Sequence, residues 1–184
     1  SKYKIKNINN NLSTIKNYIK HSSKPVIVVG NGLRLSQNGK GINVINELAS
    51  SNSIPVVSTY LGVDFFSSES EFYFGTIGLK SSRIANIIVN NCDLLIIIGS
   101  RLATSVIGFE YEHFAPKAKK IIVDIDPEEH KKNTIKADLI LEEDAAEFSA
   151  MLVNLFKDYQ FHNWLSKCKK GAAKLPIQEV FSPD

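Results

Sequence analysis

Three short groups of residues in this chain have the types and spacing for chemistry on a phosphate or a metal ion: Gly30-Asn31-Gly32, Gly99-Ser100-Arg101 and Asp124-Ile125-Asp126. In the first, two glycines after a β-branched run would let the backbone approach a nucleotide closely. The dinucleotide fingerprint GxGxxG nevertheless fails, because Leu35 stands where its last glycine belongs and no acid closes the second strand to hold a ribose. Gly39-Lys40-Gly41 is not a phosphate loop either: Arg34 replaces the first glycine, and no Ser or Thr follows Lys40. A glycine turn demanded by backbone geometry and an unconventional nucleotide site both stay open. In the second group a glycine ends an apolar run, and Arg101 could grip a phosphate in bidentate fashion or make a structural salt bridge. The third has the DxD spacing of a metal site, yet Asp126 precedes Pro127, Glu128 and Glu129, the signature of a helix N-cap. That leaves only Asp124 to meet a ligand.

Other chemistry finds no support. His21, His113, His130 and His162 show no HExxH or paired ligand spacing, and there is no GxSxG nucleophile elbow. Cys92 and Cys168 lie far apart without a CxxC motif, so they read as reduced thiols with no zinc or redox role. No nucleophile is paired with a base. The expectation is a segment with no catalytic residues and no metal site of its own.

The elements that must position these groups can be read from periodicity. Leu12, Ile15, Tyr18 and Ile19 place a helix over 11–21, and PVIVVG from Pro25 is a strand ending in glycine. Helices are expected over 41–50 and 84–91, with strands over 54–58, 94–98, 120–124 and 138–141. Asp144, with Glu147 three residues on, opens a helix to about 157 in an Asp version of the capping box. After 160 there is one aromatic-rich helical turn with Phe161, His162, Trp164 and Leu165, then a linker-like stretch. Short, continuously apolar strands alternating with helices imply a doubly wound α/β domain, a mostly parallel sheet with helices on both faces. Ligands of such sheets bind beyond the carboxyl ends of the strands, which here are the three groups above together with Ser58-Thr59.

Composition sets the bounds. At 184 residues with 43% hydrophobic and 22% charged side chains, the chain fits about one domain and is too apolar for disorder. No apolar run approaches the ~20 residues of a membrane span, and Ser1 to Lys20 lacks the apolar core of a secretory signal. A cytosolic domain is expected. The net charge is +3, but six lysines fall in residues 1–24, which hold no acid, so the remainder is mildly acidic. That distribution argues against a nucleic-acid surface.

The ordered segments KPVIVVGNG, IPVVSTYLG, FGTIGLKSSRIAN, CDLLIIIGSRL and FAPKAKKIIVDIDPEEHKKN, followed by the Asp144 helix, resemble the central domain of thiamine-diphosphate-dependent enzymes of the acetolactate synthase and pyruvate oxidase group. The resemblance implies a Rossmann-like, DHS-like NAD/FAD-binding fold. It divides the chain into a basic entry segment with a helix (1–24), the central α/β domain (25–158), and a C-terminal helix and linker towards a third domain (159–184). It also implies a larger homodimeric or homotetrameric enzyme that decarboxylates or carboligates a 2-keto acid. Thiamine diphosphate and Mg2+ would be held by the flanking domains, and no GDG motif for them occurs here.

In that group the central domain of the acetolactate synthases holds FAD, while other members bind ADP or no nucleotide. By resemblance the cofactor-contacting positions are Gly30, Asn31 and Gly32; Thr59, Gly62 and Gly78; Gly99, Ser100 and Arg101; and Asp124, Asp126 and Asp144. Two departures weigh against FAD. The aromatic, acidic and arginine residues that follow the first arginine in the flavin-binding synthases are replaced by Leu102-Ala103-Thr104-Ser105, and Glu143 replaces the glycine before the last Asp. A missing cation and an added carboxylate both disfavour a diphosphate. The alternative to a domain of this enzyme is a free-standing, non-catalytic FAD- or ADP-binding regulatory module.

Overall fold

A computed structural model describes residues 8–129 and 134–175. The described chain opens with α1 (Ile8–His21), whose Ile15 and Ile19 are buried at helical spacing. It continues through β1 (Pro25–Val29), the one-turn α2 (Gly32–Leu35) and α3 (Lys40–Asn52) to β2 (Val56–Ser58) and β3 (Tyr73–Thr76). Then come α4 (Arg83–Asn91), β4 (Leu94–Ile98), α5 (Thr104–Ile107), β5 (Lys119–Asp124), β6 (Leu139–Glu142), α6 (Ala145–Phe156) and α7 (His162–Lys174).

The strands lie in the order β3-β2-β1-β4-β5-β6, and every neighbouring pair is parallel. The expected doubly wound α/β fold is therefore present, with a wholly parallel sheet whose switch point falls between β1 and β4. Every residue of these two central strands is buried, which is why both read as unbroken apolar runs. Around the sheet, α3 packs on α6, α6 also meets α1, and α4 packs on α7.

Three features differ from the sequence expectation. β2 begins at Val56 rather than 54, because the Ile54 N–H closes the end of α3 on the Ala49 carbonyl after Ser53 takes a left-handed conformation. β3 was not anticipated; four residues with Gly75 at φ +90° carry no recognisable strand pattern. The C-terminal helix runs on to Lys174 and packs on the domain: Trp164, Leu165 and Cys168 are buried, and Trp164 Nε1 donates to the Pro25 carbonyl at 3.1 Å. The continuation of the helix expected from Asp126, with His130, lies outside the described residues.

Two polar clusters hold distant segments together. The Asp93 carboxylate accepts from the hydroxyls of Ser22 and Ser23 and the backbone N–H groups of Ser23 and Lys24, pinning the α1–β1 turn to the start of β4. At the other cluster, Asn52 Nδ2 donates to the carbonyls of Phe156 and Tyr159, each at 2.7 Å, and the Asn52 carbonyl accepts from Phe161 N–H. Ser53 Oγ lies 2.7 Å from His162 Nδ1, so the end of α3 grips the whole α6–α7 connection.

Candidate functional site

The carboxyl ends of β1 and β4 meet through backbone. Gly32 N–H donates to the Gly99 carbonyl at 2.8 Å, and Gly30 N–H donates to that of Ile98 at 2.9 Å. A Cβ on Gly30 would lie 2.3 Å from the Gly99 carbonyl oxygen, and one on Gly99 would lie 2.8 Å from Gly32 Cα. The two glycine groups singled out from sequence are thus brought together, each making room for the other. The N–H groups of the short α2 are also spent: Leu33 donates to Gly30, and Arg34 and Leu35 donate to Asn31.

On the β2 and β3 side, Thr59 is buried and its N–H donates to Val29, while the Gly62 N–H donates to Thr59. Gly78, at φ +126°, is bracketed by the Asn86 amide, which donates to its carbonyl and accepts from its N–H, both at 3.0 Å. Gly78 follows β3 and Asp144 follows β6, the two edges of the sheet. Five strand spacings, about 24 Å, separate them. Only a ligand laid along the strand ends could meet both.

On the β4–β6 side every singled-out side chain is engaged. Ser100 Oγ accepts from Leu102 N–H, and Arg101 Nε donates to Glu129 Oε1 at 2.8 Å. Asp124 Oδ1 accepts from Asp126 N–H at 3.0 Å, and Asp126 Oδ1 accepts from Glu128 N–H at 2.9 Å. Asp144 caps α6 by accepting from the N–H groups of Ala146 and Glu147, at 2.9 and 3.0 Å. Ser36 and Gln37, near the end of α2, also donate to the Asp144 carboxylate. The cleft between these strand ends, lined by Ser100, Arg101, Asp124, Glu129 and Ile140 among others, encloses about 30 Å³, room for roughly one or two waters.

Glu143, between β6 and the α6 cap, is 6% exposed, and its Oε1 has no hydrogen-bond partner. Burial first, then the carboxylates of Glu147, Asp144 and Glu142, pushes its carboxyl above the ordinary range. Burial likewise pushes the thiols of Cys92 and Cys168 up to about 12, in keeping with inert reduced cysteines. Among the described residues no three His, Cys, Asp or Glu side chains form a metal-holding group.

The family model of the thiamine pyrophosphate enzyme central domain matches residues 12–152. The chain belongs to this family. Among its relatives, the acetolactate synthase large subunit of Porphyra purpurea is 35% identical over 165 residues, spanning 86% of this chain and 27% of the relative. The acetolactate synthase isozyme 2 large subunit of Escherichia coli strain K12 is 30% identical over 147 residues, 80% of this chain and 25% of its own length. A probable acetolactate synthase large subunit of Methanocaldococcus jannaschii is 36% identical over 127 residues, 69% of this chain and 21% of the relative. The chain thus spans about a quarter of the length of the curated relatives it matches.

As a thiamine pyrophosphate enzyme central domain, the chain has the strand order of a nucleotide-binding sheet, and among the described residues several donors at the strand ends are bonded within the protein. The N–H groups of Gly32 to Leu35 and of Ala146 and Glu147 are taken by the protein's own acceptors, Arg101 donates to Glu129, and a buried carboxyl lies beside the α6 cap. The side chains that sequence reading missed are Ser36, Glu129 and Asn86: the first two act on residues 108 and 28 positions away, and Asn86 reaches back 8 positions to a loop glycine, a spacing no helix rule links. No helix among the described residues is long and apolar enough to cross a membrane.

Proposed function

We propose that this chain is the non-catalytic middle unit of an acetolactate-synthase-like enzyme that acts on a 2-keto acid. The observation that carries the reading is the match of residues 12–152 to the central domain, together with relatives named acetolactate synthase that are about three times as long. Thiamine diphosphate, held with Mg2+ in flanking domains, supplies the electron sink for decarboxylation and the carbanion that follows. Nothing in the present sequence carries the GDG motif for that cofactor. The contribution of this segment is structural: a rigid parallel sheet, closed at its switch point, that holds the neighbouring domains in register within a cytosolic homodimer or homotetramer.

The experiment is an assay with pyruvate, thiamine diphosphate and Mg2+. The 184-residue chain alone should form no acetolactate and release no CO2, whereas a polypeptide that carries this segment together with its flanking domains should do so. Turnover by the isolated chain would refute the assignment. Stop codons close to both ends of the coding segment would instead favour the free-standing nucleotide-binding module.

A further inference from the structure

Backbone N–H groups at the start of a helix are the usual seats for phosphate in an α/β sheet. Among the described residues, the start of α6 and the turn after β1 present such groups along the carboxyl edge, and the protein's own acceptors take several of them. At the start of α6 the Asp144 carboxylate accepts from Ala146 and Glu147, and Ser36 closes it from the other side, with its hydroxyl 2.6 Å from each carboxylate oxygen. After β1 the Gly32 N–H is bonded to the Gly99 carbonyl, and the following three N–H groups are bonded within the turn. Arg101, after β4, donates to Glu129, whose side chain is 8% exposed where that of Arg101 is 78% exposed. Beside the α6 cap lies Glu143, buried and with Oε1 unpartnered.

We propose that this domain fills its own anion seats and binds neither FAD nor ADP: the Asp144 carboxylate and the Gly99 carbonyl hold the N–H groups a diphosphate would need, and the Glu143 carboxylate repels it. A diphosphate brought to the start of α6 meets the Asp144 and Glu143 acids, and like charges in a partly desolvated place oppose each other strongly. The inference rests on the family assignment only for the choice of ligands to test.

Equilibrium dialysis of the chain against FAD, and separately against ADP, each up to about 1 mM, is the direct measurement. Neither ligand should be retained, and neither should move the thermal midpoint by more than about 1 °C. Saturable binding of one nucleotide per chain, or a midpoint rise of several degrees, overturns the proposal. Glu143→Gly separates the two causes. Binding gained by that variant assigns the exclusion to the carboxylate, and continued failure assigns it to the filled N–H seats; either result upholds the proposal.

In the longer enzyme, thiamine-dependent turnover is read separately. Turnover that requires added FAD overturns this inference and leaves the functional proposal standing. A flavin-free enzyme without turnover counts against the functional proposal alone.

Discussion

The hydroxyl of Ser36 lies 2.6 Å from both carboxylate oxygens of Asp144, joining residues 108 positions apart. Ser36 Oγ also accepts from Ala146 N–H at 3.1 Å, so the turn after α2 and the start of α6 form one capping unit. Asp144→Ala should therefore cost about 1–2 kcal/mol, the upper part of the range for losing an N-cap. Ser36→Ala should cost less. The double variant should fall short of the sum, because both changes break the same unit, and urea unfolding of the four proteins measures it.

Asp93 gives a pH signature. Burial opposes its ionisation, but hydrogen bonds from Ser22, Ser23 and Lys24 outweigh burial and hold the carboxyl below its ordinary value of 3.8. The folded state thus binds this proton more weakly than the unfolded state. The stabilisation is complete above 3.8 and is lost as pH falls through the folded value. Asp93→Asn should destabilise the domain by about 1 kcal/mol at neutral pH and flatten this acid limb in unfolding curves taken from neutral pH down to pH ~1.5.

Glu143 has the opposite sign. Its carboxyl is raised above 4.5, chiefly by burial, so the folded state holds the proton more tightly than the unfolded chain. Stability falls as pH rises from 4.5 through the folded value. Glu143→Gln removes the charge and should stabilise the domain at neutral pH by about 1 kcal/mol, the lower end for an unpaired buried polar group. Comparing thermal midpoints of the two proteins across that pH range tests this, and an unchanged difference at all pH values would count against it.

Trp164 reports on α7. It is the chain's one tryptophan, it is buried, and it donates to Pro25. Its fluorescence should be blue-shifted in the native state and should move red in one step with the loss of far-UV circular dichroism. Trp164→Ala should cost about 3–5 kcal/mol. An earlier fluorescence transition would mean that α7 detaches before the sheet unfolds.

Much of the fold was legible because burial writes itself plainly into central strands. PVIVV and LLIII contain no polar residue, and each ends at a glycine. The α6 cap was legible too, since Asp144 and Glu147 sit at the spacing a helix start requires. β3 was hidden because an edge strand of four residues with a central glycine has no periodic pattern. The length of α7 was hidden because its inner face beyond Leu165 is built from Cys168 and Ala172, small residues among lysines. In the candidate site, the strand-end groups were visible, but their partners were not. Arg101 offered phosphate contact or a salt bridge, and only folding brings Glu129 to it, 28 residues away. Ser36 and Asp144 are further apart still, and no local rule links them.

The glycine pair at the switch point has a consequence for inheritance. Gly30, Gly32 and Gly99 are 67 to 69 positions apart across the β1 and β4 groups, yet a methyl group on any one of them would come within 3 Å of the opposing backbone. Backbone cannot step aside as a flexible side chain can, so substitution at one position is not rescued by shrinking another that is already glycine. The three codons should behave in a saturation library as a single locus, intolerant at every member and without compensating pairs.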